Sequence, residues 1–296
     1  MESHKEVISK IKLLNLKKYP YRDLKLLLRE LGAFGVILTT LHKGKKIIRA
    51  RINDNEETFD NVSKLSFKPK QYNKTYQRAS TPFNTMFYGA VTPEYLEEGE
   101  NELERITIFS ELANSNGFLK DSNSKGELKI TFARWDVLED IHLVSVISHK
   151  DFQKGYGIIR GLQNEFTKAL DKSGLKERSL EISEFLASEF AKGTINTDSD
   201  YLISAIFSEL ACEKFDGVYY PSVRMQGDGI NVAIKPNSVK DKMVFVGASE
   251  CTVYKNKMNV VIGNNSKAKL LDNAELEFIK LNEFSPEFYK AQVGLK

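Results

Sequence analysis

The sequence has few of the residues that cross-link small proteins. Two cysteines, Cys212 and Cys251, occur among 296 residues, which excludes a disulfide scaffold. Their contexts, SELACEKF and GASECTVY, predict a buried helix face and a strand with reduced thiols. With 7 prolines and 18 glycines and no repeat or low-complexity tract, the chain is neither collagenous nor disordered. An excess of one charge is missing too: 43 Lys and Arg face 40 Asp and Glu, a net +3. That balance prompts no direct nucleic-acid or membrane-surface partner. No run approaches the roughly 18 to 20 apolar residues of a membrane span. The opening MESHKEVISKIK lacks the apolar core of a secretory signal, so a cytoplasmic location is expected.

What is present is an ordinary globular composition, 41% hydrophobic and 28% charged. A chain of this length buries roughly three quarters of its unfolded surface, enough for a sizeable core. Val7, Ile11 and Leu14 recur at helical spacing. Leu24, Leu27, Leu28 and Leu31 do the same after Pro20, with Asp23 as the expected N-cap. GVILTTLHKGKKIIRARI, from Gly35 to Ile52, reads as two strands or as one strand after an extended lead-in, and delivers Arg49 and Arg51 from a strand. Asn53 to Asn84 is polar and irregular, too long for a simple connection. A strand at Met86 to Ala90 precedes the acidic stretch PEYLEEGENELE and a helix over ITIFSELANS.

Strands are expected at Leu128–Trp135 and Ile141–Ile147. Helices follow around Ile159–Leu170 and Leu180–Phe190, the second stopping by Gly193, and a third is capped by Asp198 or Ser199. Beyond it, GVYYPS, INVAI, MVFVGA, CTVYK and MNVVI are β-rich runs between turns. The fold class is α+β, a single domain with a helical N-terminal extension.

Several chemistries find no support. His4, His42, His142 and His149 fit no HExxH spacing and the cysteines lie far apart, so no metal is expected. There is no P-loop and no nucleophile elbow. Gly155, Gly157 and Gly161 mimic a dinucleotide fingerprint, but SHKDFQK separates them from the preceding strand, whereas that motif turns straight off it. Glu97, Glu98, Glu100, Glu102 and Glu104 could pair as glycosidase carboxylates, though such density is ordinarily solvation.

Four segments in order make a more specific pattern: IIRAR (47–51), YQRASTPFNTMFYGA (76–90), TIFSELA (107–113) and DGVYYPSVR (216–224). Together they resemble the RES family, named for a spread Arg, Glu and Ser. INVAIKP (230–236) is similar to that family's closing strand and ARW (133–135) to another. The resemblance runs from about Ile47 to Val246. It implies an ADP-ribosyltransferase-like mixed split β-sheet core with flanking helices at 46–246, an N-terminal helical extension at 1–45 and a β-rich tail at 247–296.

It also implies a function: binding NAD+ as substrate, without a metal, and cleaving its nicotinamide–ribose bond by phosphorolysis or hydrolysis. The setting implied is the toxin of a toxin–antitoxin pair, with a small helical DNA-binding-type antitoxin as partner; the oligomeric state is left open. The alternatives are ADP-ribosyl transfer to a protein and a catalytically silent NAD+-binding or protein-interaction module. By motif, Arg49 matches the family's first arginine, Arg78 the next, Tyr88 the strand tyrosine, Glu111 the helix acid and Ser222 the serine after Tyr-Pro. Glu98, Glu100 and Glu104 are the other candidates for the acid. The residue types suit the ligand: Arg49 and Arg78 to grip a pyrophosphate, Glu111 to stabilise oxocarbenium charge, Tyr88 to stack on nicotinamide, and Ser222 and Asn231 for polar contacts to ribose or amide.

Overall fold

The computed structural model describes residues 2–54, 57–92, 103–115, 117–119, 121–149, 157–225 and 227–295. Among them lie ten strands and eight α-helices in a mixed α+β arrangement. The acids at 97–102 and the glycine at 155 fall outside the described residues. Among the described residues no helix is long and apolar enough to cross a membrane. The chain forms two compact units, interleaved in sequence: residues 1–42, 68–88 and 140–241 make the first, and 43–67, 89–139 and 242–296 the second.

The first unit has four strands in the order β1 (Ile37–Leu41), β5 (Ile141–Ser145), β6 (Gly217–Pro221), β7 (Ile230–Ile234). β1 and β5 pair antiparallel, as do β6 and β7, whereas β5 and β6 run parallel. A parallel pair needs a long crossover. Here α4 (Gly157–Leu170), α5 (Lys176–Phe190) and α6 (Leu202–Ala211) supply it. Every residue of β6 and β7 is buried, which is why both read as unbroken apolar runs instead of alternating ones. Gly217 is required there, because a Cβ on it would lie 2.0 Å from the Ala233 carbonyl oxygen.

The opening helices belong to this unit. α1 (His4–Leu13) starts on a Ser3–Glu6 capping box and buries Val7, Ile8 and Ile11. α2 (Tyr21–Glu30) has Pro20, not Asp23, at its N-cap; Asp23 stands in the first turn, where its charge complements the helix dipole. The Leu24 N–H donates to the Pro20 carbonyl at 3.0 Å, so the first helical turn is closed ahead of Asp23. Leu24, Leu28 and Leu31 join Phe190, Ile206 and Val218 in one core. The expected cap at Asp198 or Ser199 is displaced likewise. Thr197 and Asp200 form the capping box of a 3₁₀ turn, Asp198–Tyr201, and α6 follows from it. Cys212 caps the end of α6 and is half-buried.

The second unit is an antiparallel series, β2 (Lys46–Ile52), β4 (Lys125–Val137), β8 (Met243–Asn256), β9 (Asn259–Leu270) and β10 (Leu276–Lys280). β3 (Phe87–Val91) meets β2 at Ala90, opposite Ile48. α3 (Leu103–Ser115) supplies Ile108, Phe109 and Ala113 to a core with Ile48, Ala50, Ile130, Phe132 and Val253. Cys251 is wholly buried in β8, as its context predicted. The chain's β-rich end also carries α8 (Pro286–Val293), which has Ser285 at the N-cap, proline at its first position and left-handed Gly294 at its end.

Candidate functional site

In the second unit, β2 carries Arg49 opposite Ala133 of β4. Strand alternation fixes its direction. Ile48 and Ala50 enter the core that α3 covers, so Arg49 projects from the other face, together with Arg51. Arg51 there donates to the Lys64 carbonyl at 2.9 Å and lies 4.3 Å over the Phe59 ring. Glu111 is half-buried on α3. It shares a ridge of that helix with Thr107 and Glu104, one and two turns back, and both of those are buried. Arg49 and Glu111 therefore start from opposite faces of β2.

Glu104 itself, one of the alternative acids, is 1% exposed. Lys46 of β2 pairs with one of its oxygens and the Thr92 hydroxyl donates to the other. A carboxylate sealed this way ties helix to strand and is closed to a ligand. Among the described candidates, Glu111 is the acid with a solvent-reached side chain.

In the first unit the structure brings Arg78 and Tyr88 together. Tyr88 Oη accepts from the Ala79 N–H at 3.0 Å and shares a hydrogen bond with Ser80 Oγ at 2.9 Å. Those contacts pin the Gln77–Ser80 turn that holds Arg78. Burial pushes the Tyr88 phenol up to about 12, so near neutral pH it is a protonated hydrogen-bonding group and not a base. Arg78 donates through Nη1 to the Phe190 carbonyl and through Nη2 to that of Lys192, 3.1 Å away. It thereby caps the C-terminal end of α5, where a cation is favoured, and its guanidinium carbon lies 5.3 Å from the Tyr201 ring centre. Both terminal nitrogens are engaged, and each keeps a second N–H.

Ser222 and Asn231 belong to a single hairpin. Asn231 stands opposite Tyr220 in the β6–β7 register, and just past β6 the Ser222 N–H donates to the Gly229 carbonyl at 2.7 Å. The Ser222 hydroxyl accepts from the Met225 N–H at 3.2 Å. Both residues are buried, at 0% and 4% exposure. In this structure the serine closes its own turn, a duty its hydroxyl commonly has in loops.

Two groups are removed from consideration as nucleophiles. Burial raises the Cys212 thiol to about 12, which keeps it protonated, and Cys251 lies within a wholly buried strand position. Among the described residues no group of three or more His, Cys, Asp or Glu side chains is arranged to hold a metal ion.

Sequence reading missed an anionic centre in the first unit, Glu209 of α6. Its Oε1 accepts from Tyr21 Oη and Lys25 Nζ, each at 2.5 Å, and its Oε2 from Thr81 Oγ1 at 2.7 Å. The one available signal was an acid inside the apolar run LISAIFSELA. No protein-family model matches the chain, and no curated protein matches it.

Proposed function

We propose that the protein consumes NAD+ as a RES-type enzyme built on an ADP-ribosyltransferase-like core, breaking the nicotinamide–ribose bond. In that reaction the C–N bond breaks and its electron pair leaves with nicotinamide, discharging the pyridinium. The oxocarbenium left at the ribose is captured by an oxygen of water, with loss of a proton, or by an oxygen of phosphate. Glu111 carries the stabilisation of that positive charge; Arg49, which leaves β2 from the face opposite α3, is assigned the pyrophosphate on the resemblance alone. Tyr88 offers a ring to nicotinamide, whereas Ser222 and Asn231, buried in the β6–β7 hairpin, keep that hairpin in shape and do not meet the ligand directly.

The observation that carries the reading is the Tyr88 contact with Ala79 and Ser80. It makes the arginine-bearing turn and the aromatic strand one rigid piece, as expected if YQRAS and FYGA act jointly. With both terminal nitrogens on α5 carbonyls, Arg78 serves chiefly to position that piece. The sealed environment of Glu104 supports Glu111 as the acid.

Release of nicotinamide from NAD+ by the purified chain, with and without phosphate, is the test. Glu111→Gln is expected to lower the rate by about two to four orders of magnitude, the scale for a preorganised electrostatic group. No release from the wild type ends the enzyme reading, and an unchanged rate in the variant ends the assignment of Glu111. NAD+ labelled in its ADP-ribose part separates depletion, which leaves label in small molecules, from transfer to protein. A toxin role further predicts growth arrest on expression, relieved by a co-expressed helical antitoxin encoded beside it.

A further inference from the structure

Within the first unit a concave pocket of about 440 Å³ opens beside α2 and α6. Tyr21, Tyr76, Thr81, Phe83, Asn84 and Glu209 line it. The volume is in the range of small-ligand sites. Its walls are aromatic and its anchoring charge is a carboxylate.

Phe83 stands at the rim with 62% of its surface exposed and a backbone φ of +62°. That left-handed conformation is unfavourable for a bulky L residue. The surroundings enforce it. The Phe83 N–H donates to the Asn73 carbonyl at 2.7 Å, and the Asn73 side chain, itself buried, donates to the Thr81 carbonyl at 2.8 Å. A rigid loop thus holds a strained aromatic ring out in solvent, where the hydrophobic effect gives it nothing. Strain kept at such a point is a pointer to function. Tyr76 is fixed as well, by stacking on Tyr19 with centroids 5.8 Å apart and by its N–H on Asp198.

Glu209 decides the chemistry. A carboxylate offers about four acceptor directions. Oε1 takes two donors and Oε2 takes one, so Oε2 can accept another. The side chain keeps 17% exposure. An anionic acceptor welcomes an N–H donor and repels a carbonyl, carboxylate or phosphate. Lys25, already paired with Glu209, supplies the compensating charge, so nothing here favours a cation over a neutral ligand.

We propose that this pocket binds a flat heteroaromatic base with an exocyclic amine, of the adenine class, stacked on Phe83 and donating its amine N–H to Glu209 Oε2. Lys25, Tyr21 and Thr81 are positioning residues that fix the carboxylate. The inference does not depend on NAD+ cleavage, and its probe is free adenosine, so a chain that releases no nicotinamide still tests it.

Calorimetry and saturation-transfer NMR on the full chain compare adenosine with purine riboside, which lacks the amine, and inosine, which has a carbonyl in its place. Adenosine is expected to bind, purine riboside about tenfold more weakly, a typical loss for one hydrogen bond, and inosine not at all. Glu209→Gln presents an amide N–H, so it is expected to weaken adenosine and admit inosine. Phe83→Gly is expected to lower adenosine affinity about tenfold or more, the scale of one lost base–aromatic stack. Its melting temperature should be equal or higher, because glycine adopts this φ freely. Absence of adenosine binding at millimolar concentration overturns the proposal. So does equal affinity for the three nucleosides, or undiminished adenosine binding by folded Phe83→Gly.

Discussion

Two carboxylates, one in each unit, are held by the same two kinds of donor. Glu104 takes Lys46 and the Thr92 hydroxyl; Glu209 takes Lys25 and the Thr81 hydroxyl, with Tyr21 added. Their exposures differ, at 2% and 17% of the side chain. The first joins β2 to α3 and is sealed from solvent, while the second faces a pocket with aromatic walls. A lysine and a threonine hydroxyl thus serve a structural tie in one setting and a binding anchor in the other. Access, not the chemistry of the donor set, separates the two.

The comparison is broken most severely at the sealed site. Glu104→Ala leaves Lys46 without its partner beside an emptied space. Loss of one partner from a fully buried pair costs about 3–5 kcal/mol, but Lys46 is 37% exposed and can regain water. We therefore expect about 2–3 kcal/mol, read as a lower urea midpoint with an unchanged slope. Glu209→Ala should cost about 1–2 kcal/mol, since that carboxylate already keeps part of its hydration, at 17% exposure against 2% for Glu104. If Glu209→Ala is the more damaging of the two, the contrast drawn from access is wrong.

A cation sharpens the same contrast. Arg78 is held by the carbonyls of Phe190 and Lys192, with no acid among its hydrogen-bond partners, so its worth is that of charge-assisted bonds at a helix end. Arg78→Ala is expected to lose about 1–2 kcal/mol, and Arg78→Lys, unable to span both carbonyls, somewhat less. If Arg78 only gripped a ligand, neither change would move the midpoint.

Legibility in the sequence follows sequence distance. α1, α3, α6 and the buried strands β6 and β7 are local patterns, and the periodic apolar residues announce them. The Thr197–Asp200 capping box is also local; its cap, Thr197, lies one residue before Asp198 and two before Ser199, the expected caps, because a 3₁₀ turn separates it from the first apolar turn of α6. Glu209 is different. Its partners Tyr21 and Thr81 lie 188 and 128 positions away, and nothing in the α6 segment foretells them. The interleaving of the units was hidden for the same reason, since it depends on which strands pair. The candidate residues divide likewise. That Arg49 lies on a strand and Glu111 on a helix was readable, whereas Tyr88 bonding back to Ala79 and Ser80 required coordinates.

The smallest effect expected is a pH dependence that tells the open carboxylate from a merely solvated one. Burial pushes the Glu209 carboxyl up, but the hydrogen bonds from Lys25, Tyr21 and Thr81 and the Lys25 charge outweigh it, so the net shift is below the ordinary value of 4.5. A group with a depressed folded pKa contributes stability above its unfolded pKa and loses it as pH falls through the folded one. Wild type should therefore lose stability on acidification below about pH 4.5 more steeply than Glu209→Gln, whose amide has no proton to take up. The difference should stay under about 1 kcal/mol, because the site is partly open to solvent. Parallel urea midpoints for the two proteins across that window would mean that the donors around Glu209 do not hold its charge, which would also remove the acceptor on which adenine selectivity depends.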